Sequence, residues 1–245
     1  MADSAVDNTQ LAMICGHSAS GKSASLRNIR NQSQWMYLNC ESNKRLPFRN
    51  QFDSYTITDP YQVIEAFDAL LNGDINRDGI IIDTLTFLMD MYESQYVLSA
   101  ANTMQAWGSY QQFFKEIMQT KVAKLKVPSL FLAHTKTELN EKAMEYETSV
   151  PVKGALKNNG IEAFFSTVVA AKKVELKKLE KFANELLTIT DEDRDVGFKH
   201  VFQTRITKET TGERIRSPMG MFTREQTYID NDAQLLLDHL NNFYK

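Results

Sequence analysis

The sequence predicts an α/β fold: a mainly parallel sheet flanked by helices, with antiparallel strands towards the C-terminal end. Three observations carry this expectation. Short continuous apolar runs alternate with segments of helical period, at the lengths that crossover connections need. The runs lack the polar alternation of a strand with one wet face, so they suit strands covered on both sides. Near the C-terminal end, strand-like segments follow one another directly.

The elements are expected in this order. Leu11 to Cys15 (LAMIC) is an apolar run closed by Gly16, a buried strand. Ser23 to Arg30 is expected to be helical, and Trp35 to Cys40 (WMYLNC) a second strand. Asp59-Pro60 opens a helix that carries Val63, Ile64, Phe67, Leu70 and Leu71 on one face. A turn over 72–78 leads into a third strand, Gly79 to Ile82. Residues 85–98 and 106–122 read as helices, Pro128 to Ala133 as a fourth strand and Phe164 to Ala171 as a fifth. Residues 174–187, rich in Lys and Glu, are expected to be helical, and the acidic stretch 188–197 an exposed loop. Residues 200–207 and 214–221 are expected to extend the sheet antiparallel, and 232–244 to close the chain as an amphipathic helix. No repeat or low-complexity linker divides the chain. Residues 1–245 are therefore expected to form one domain, with a core over about 11–172 and an extension over about 173–245.

Composition excludes several classes. The 245 residues carry 28 Lys and Arg against 31 Asp and Glu, a net charge of −3, with 42% hydrophobic residues. That is enough apolar material for one sizeable core and argues against disorder. Met1 to Gln10 holds Asp3 and Asp7, no basic residue and no apolar core, so no secretory signal is expected. Residues 79–91 are too few to cross a bilayer and include Asp83 and Asp90, so no membrane association is expected. Cys15 and Cys40, both in apolar runs, suit buried thiols in a cytoplasmic protein better than a disulfide scaffold or a zinc site.

The chemistry concentrates where strands end. Gly16-His17-Ser18-Ala19-Ser20-Gly21-Lys22-Ser23 fits G-x-x-x-x-G-K-[ST], the phosphate-binding loop, after a strand and before an expected helix that continues through Ala24. Glycines let backbone N–H groups face phosphate oxygens, and a helix start adds a positive dipole end. Lys22 is expected to reach the β- and γ-phosphates of ATP, and the Ser23 hydroxyl to ligate Mg²⁺. A second metal-side carboxylate is expected at the end of another strand, and Asp83 follows Ile80-Ile81-Ile82 there, although Asp83 or Thr84 would also suit a helix N-cap. Glu41 closes the second strand, where a carboxylate would orient attacking water. His134 closes the fourth, within reach of a γ-phosphate. Asp74 to Gly79 opens like a calcium loop, but its twelfth position is Leu85 and Gly79 enters a strand, so it reads as a turn.

This layout resembles the RecA-like ATPase core. Lys153 to Lys157 (KGALK) followed by Phe164 to Val169 is similar to the segment that RecA carries after its second DNA-binding loop. Thr204 to Lys208 with Arg214 to Phe222 is similar to the C-terminal hairpin of phage-encoded, core-only RecA-like proteins, which act in single-strand annealing and recombination. The resemblance spans roughly residues 11–244. It implies that Glu41 is the catalytic glutamate. It implies that His134 stands where RecA has a glutamine coupling the γ-phosphate to DNA. It implies that Arg205 and Lys208 act across a subunit interface on a neighbour's γ-phosphate. A homo-oligomer acting on single-stranded DNA, with a single-strand-binding protein as a further partner, follows from the resemblance. The loop begins at Gly16, so RecA's N-terminal assembly domain is expected to have no counterpart.

The charge pattern adds little to DNA binding. Residues 135–152 would form the second DNA loop, yet Glu138, Glu141, Glu145 and Glu147 outweigh Lys136 and Lys142, net −2, with Lys153 and Lys157 just beyond. Tyr96 and Trp107 offer rings for base stacking but suit a helix core better. The lysines at 121, 124 and 126 and at 172, 173, 177 and 178 form basic clusters of the kind that usually face solvent. Two other activities fit the loop: a small-molecule or nucleotide kinase, which needs a basic lid, and a nucleotide-gated interaction module that does not hydrolyse.

Overall fold

The computed structural model describes residues 8–141 and 144–245; the expectations for residues 1–7 and for Lys142 lie outside them. Strands β1 (Leu11–Gly16), β2 (Trp35–Asn39) and β3 (Asp53–Thr56) precede helix α1 (Tyr61–Asn72). Strand β4 (Gly79–Asp83) leads into α2 (Leu85–Tyr92) and α3 (Thr103–Lys115), each prolonged by a π-helical turn. Strand β5 (Ser129–His134) is followed by a hairpin of β6 (Lys136–Asn140) and β7 (Glu145–Ser149), then α4 (Leu156–Asn159) and β8 (Thr167–Glu175). Helices α5 (Leu176–Leu179) and α6 (Asp191–Val196), strands β9 (Phe198–Gln203) and β10 (Tyr228–Asp230), and helix α7 (Ala233–Tyr244) complete the chain.

The main sheet runs β10-β9-β8-β1-β5-β4-β2-β3. From β8 to β3 every pairing is parallel, while β9 and β10 add antiparallel at one edge. Alternate side chains of each central strand enter two cores, which explains the unbroken apolar runs. Met13, Ile80, Ile82 and Phe131 pack under α1, α2 and α3. Ile14, Ile81, Leu130 and Leu132 pack under Leu236, Leu237 and Leu240 of α7. Each such leucine contributes ~1.5–3 kcal/mol by leaving water. Asp232 fixes the start of α7 by accepting from the Gln234 and Leu235 N–H groups, at 2.9 and 3.2 Å. No helix among the described residues is long and apolar enough to cross a membrane.

Several expectations are corrected. Residues 174–187 are not one helix. Strand β8 continues to Glu175 because β9 supplies backbone partners as far as the pair Glu175 and Phe198, and only α5 and one 3-10 turn follow. The acidic stretch is not all loop: Thr190 and Asp193 form a capping box and start α6. Residues 214–221 do not make a strand. One bridge joins Arg216 to Val168, and then Pro218 and Gly220 turn the chain away, so β10 takes the place at the edge of the sheet. The segment after the Gly16-to-Lys22 loop is a short 3-10 turn, Ser23–Asn28, and not an α-helix. The Ser25 hydroxyl donates to the Lys22 carbonyl at 2.5 Å, drawing on a backbone acceptor that an α-helix would use. Strand β3 and the β6–β7 hairpin were not expected.

Gly79 faces Trp35 across the β2–β4 pair, and a Cβ there would lie 2.4 Å from the buried indole. Gly79→Ala should therefore cost ~1–3 kcal/mol and lower the urea midpoint at unchanged m-value. A midpoint equal to wild type would show that the two strands do not meet in this register.

Candidate functional site

The carboxyl ends of β1, β2, β4 and β5 open on one cavity of about 410 Å³. Ser18 to Ala24, Glu41, Asp83 and His134 line it, so most of the residues expected at a nucleotide site meet there. Gly16 and His17 border a larger neighbouring cavity of about 830 Å³ beside the hairpin. Their part in the first cavity is through carbonyl oxygens. The Lys22 ammonium donates to Gly16 O at 2.9 Å and to His17 O at 2.8 Å. Gly21 has φ of +98°, and a Cβ on it would meet Asn231 Nδ2 at 2.7 Å. That amide donates to Gly21 O at 2.9 Å, and His200 Nδ1 lies 3.0 Å from Ser20 O, so the C-terminal part of the chain braces the loop. The short turn after the loop has little macrodipole, so an anion placed at the loop would be met by the loop N–H groups and Lys22.

Asp83 is 3% exposed. Its Oδ2 accepts from Ser23 Oγ at 3.0 Å and from Tyr37 OH at 2.8 Å. Its Oδ1 is buried and has no hydrogen-bond partner among the described residues. Burial pushes the carboxyl above the usual Asp range, opposed by the hydrogen bonds from Tyr37 and Ser23. Such a group is stabilised by a cation. Thr84, next along, starts α2 without a side-chain cap, and Asp83 does not cap it either.

Glu41 has both oxygens engaged. Oε2 is 2.6 Å from the Lys44 ammonium, and Oε1 lies 3.0 Å from His134 Nε2 and 3.3 Å from the Thr84 hydroxyl. The hydrogen bond from His134 holds the carboxyl down at about 2; burial opposes this and Lys44 adds to it. His134 Nδ1 is 3.3 Å from Lys22 Nζ. An ammonium only donates, so Nδ1 accepts and Nε2 carries the proton given to Glu41. The histidine thus links the phosphate-loop lysine to the carboxylate. Burial draws Lys22 from the usual lysine range down to about 8, with Asp83 and Glu41 opposing the fall.

Arg205 and Lys208 are not brought to this cavity within the chain. Both are exposed, and Arg205 Nη1 donates to Phe222 O at 2.6 Å. Several lysines of the basic segments are paired with carboxylates of the chain. Lys153 pairs with Glu93 and Lys121 with Asp68, both at 2.6 Å, while Lys172 pairs with Glu213 and Lys178 with Glu209. Trp107 packs on Tyr110, and Tyr96 on Tyr61 and Tyr92. The expected DNA loop is the β6–β7 hairpin, in which Leu139 faces Tyr146 and both are exposed. Cys15 and Cys40 are buried and free, and burial pushes the Cys15 thiol up to about 12.

Sequence reasoning missed Tyr37, Lys44, Thr84, His200 and Asn231. Lys44 and Thr84 carry a readable signal: each lies within three residues of a named carboxylate. Asn231 carries none, since its partner is 210 residues away.

Compared with known proteins, the chain matches no family model and no curated protein.

No group of three or more His, Cys, Asp or Glu among the described residues is arranged to hold a metal alone. The orphaned Asp83 Oδ1, on the carboxylate whose Oδ2 accepts from the Ser23 hydroxyl, fits a cation whose remaining ligands come from outside the chain.

Glu41 has a lower carboxyl pKa in the fold than its ordinary 4.5, so its pairs stabilise the fold fully above about pH 4.5 and are lost as pH falls towards about 2. The stability gap between wild type and Glu41→Gln should therefore narrow between pH 6 and pH 3 in urea titrations. A gap that stays constant over that interval would rule out the paired carboxylate.

Proposed function

We propose that this protein is a RecA-like, Mg²⁺-dependent ATPase that acts on single-stranded DNA in phage or bacterial recombination or annealing. The observation that carries the nucleotide reading is the shared cavity. A phosphate-binding loop, its lysine, a serine bonded to a buried aspartate with one bare oxygen, and a strand-end glutamate all face it. The sheet order, with β5 and its His134 between β1 and β4, supports the same layout.

The loop N–H groups and Lys22 would bind the phosphates. Ser23 and Asp83 would hold the Mg²⁺, which when bound neutralises phosphate charge. Glu41 would orient a water. In hydrolysis the water oxygen bonds to the γ-phosphorus and the bond to the β,γ-bridging oxygen breaks. ADP keeps that electron pair, and a proton of the water passes to Glu41. Positioning and electrostatics supply the rate.

Single-stranded DNA as effector rests on the family resemblance, and Lys121, Lys153, Lys172 and Lys178 are already paired with carboxylates. Arg205 and Lys208, exposed and away from their own chain's cavity, suit a role towards a neighbouring copy in a homo-oligomer.

Lys22→Ala should abolish ATP binding, read by calorimetry. Glu41→Gln should keep ATP binding and lose turnover by ~10²–10⁴-fold. Single-stranded DNA should raise the wild-type ATPase rate, less so at higher salt. Unchanged turnover in Glu41→Gln would contradict the hydrolytic role, and a rate indifferent to DNA would remove the recombination reading.

A further inference from the structure

Glu41 has both oxygens engaged by three donors. Lys44 holds one oxygen, and His134 and Thr84 hold the other. Three donors leave a carboxylate about one acceptor position, here on the oxygen that Lys44 holds, so water meets Glu41 beside Lys44 and more fully once that partner leaves. The three partners differ in freedom. Thr84 is fully buried and the His134 side chain is 22% exposed, tied also to Lys22, whereas the Lys44 side chain is 65% exposed. Lys44 is the partner able to move.

Its backbone, by contrast, is held in place. Ser42 and Asn43 both have left-handed torsions, φ of 51° and 63°, which non-glycine residues rarely adopt. They fold the chain back so that Lys44 N–H donates to Glu41 O at 3.0 Å. The Asn39 amide closes the turn from both ends. Its Oδ1 accepts from the Glu41 N–H and its Nδ2 donates to the Lys44 carbonyl, each at 2.9 Å. A fixed turn thus delivers a mobile ammonium to the rim of the cavity that Lys22, Ser23 and Asp83 also line.

We propose that Lys44 is the γ-phosphate-recognising cation of this site, supplied from within the chain, and that it exchanges Glu41 for the terminal phosphate of a nucleoside triphosphate. The exchange does two things. It adds a charge-assisted contact that a diphosphate cannot offer. It also uncovers one oxygen of Glu41 more fully for water when a γ-phosphate is present, so hydrolytic competence rises with occupancy. This role rests on the nucleotide reading above and differs from the Arg205 and Lys208 role, which needs a neighbouring copy.

The test is equilibrium binding of Mg²⁺ with ADP and with the non-hydrolysable triphosphate AMP-PNP. Lys44→Ala should weaken AMP-PNP roughly tenfold and change ADP less than about twofold, and Lys44→Arg should restore most of the difference. Glu41→Gln, in which Lys44 is no longer held by a carboxylate, should bind AMP-PNP more tightly relative to ADP than wild type does. Adding Lys44→Ala to it should erase that gain. Circular dichroism checks the fold of each variant, with Lys44→Gln used in place of Lys44→Ala if the latter does not fold. An AMP-PNP to ADP ratio that Lys44 substitution leaves unchanged, in a wild-type chain that binds both, overturns the Lys44 role alone. A wild type that binds neither nucleotide overturns the nucleotide reading and this role with it.

Discussion

Burial of charge at the carboxyl ends of parallel strands constrains the rest of this structure. Asp83 leaves β4 directly into a nearly dry position because both faces of the sheet are covered, by α1 to α3 on one side and by α7 on the other. Two hydroxyls bond to one of its oxygens and the other stays bare. An uncompensated buried carboxylate is costly. Its neighbours make sense as the surroundings of a cation that offsets this: Ser23 across from it, Lys22 beside the loop carbonyls, and Glu41 one strand away.

The same constraint organises the polar chain across the cavity. Gly16 and His17 carbonyls hold Lys22, Lys22 meets His134, His134 meets Glu41, and Glu41 meets Lys44. Each group is a partner for the next, so moving one charge shifts the others. A second anion entering this chain would compete for both lysines. In the function proposed above, that competition would make the cavity respond to the number of phosphates bound. His17 extends the chain outward: its ring lies 3.2 Å from Thr137 Oγ1, on the hairpin that borders the second cavity.

What was legible in the sequence follows from how local the chemistry is. The loop Gly16 to Ser23 is contiguous, and Asp83, Glu41 and His134 each end a strand whose apolar run is plain, so their convergence followed from a parallel sheet. The two covered faces were legible for the same reason. Strand β3, mostly exposed and only four residues long, has no apolar run to betray it. The extension of β8 to Glu175 depends on β9, more than twenty residues on, which no local lysine-rich pattern discloses. Helix α6 was readable from Thr190 and Asp193, and its acidity masked it. Asn231 and His200 brace the loop from far along the chain, and only the fold brings them there.

In the function we propose, the loop after β1 holds a triphosphate whose metal lies on the side of Ser23 and Asp83. A crystal structure with Mg²⁺ and a non-hydrolysable ATP analogue tests it most directly. We expect phosphate density against Gly21, Lys22 and Ser23, and a Mg²⁺ ion on the side of Ser23 and Asp83. Ligand density elsewhere on the molecule, with Lys22 still folded onto the Gly16 and His17 carbonyls, would contradict it.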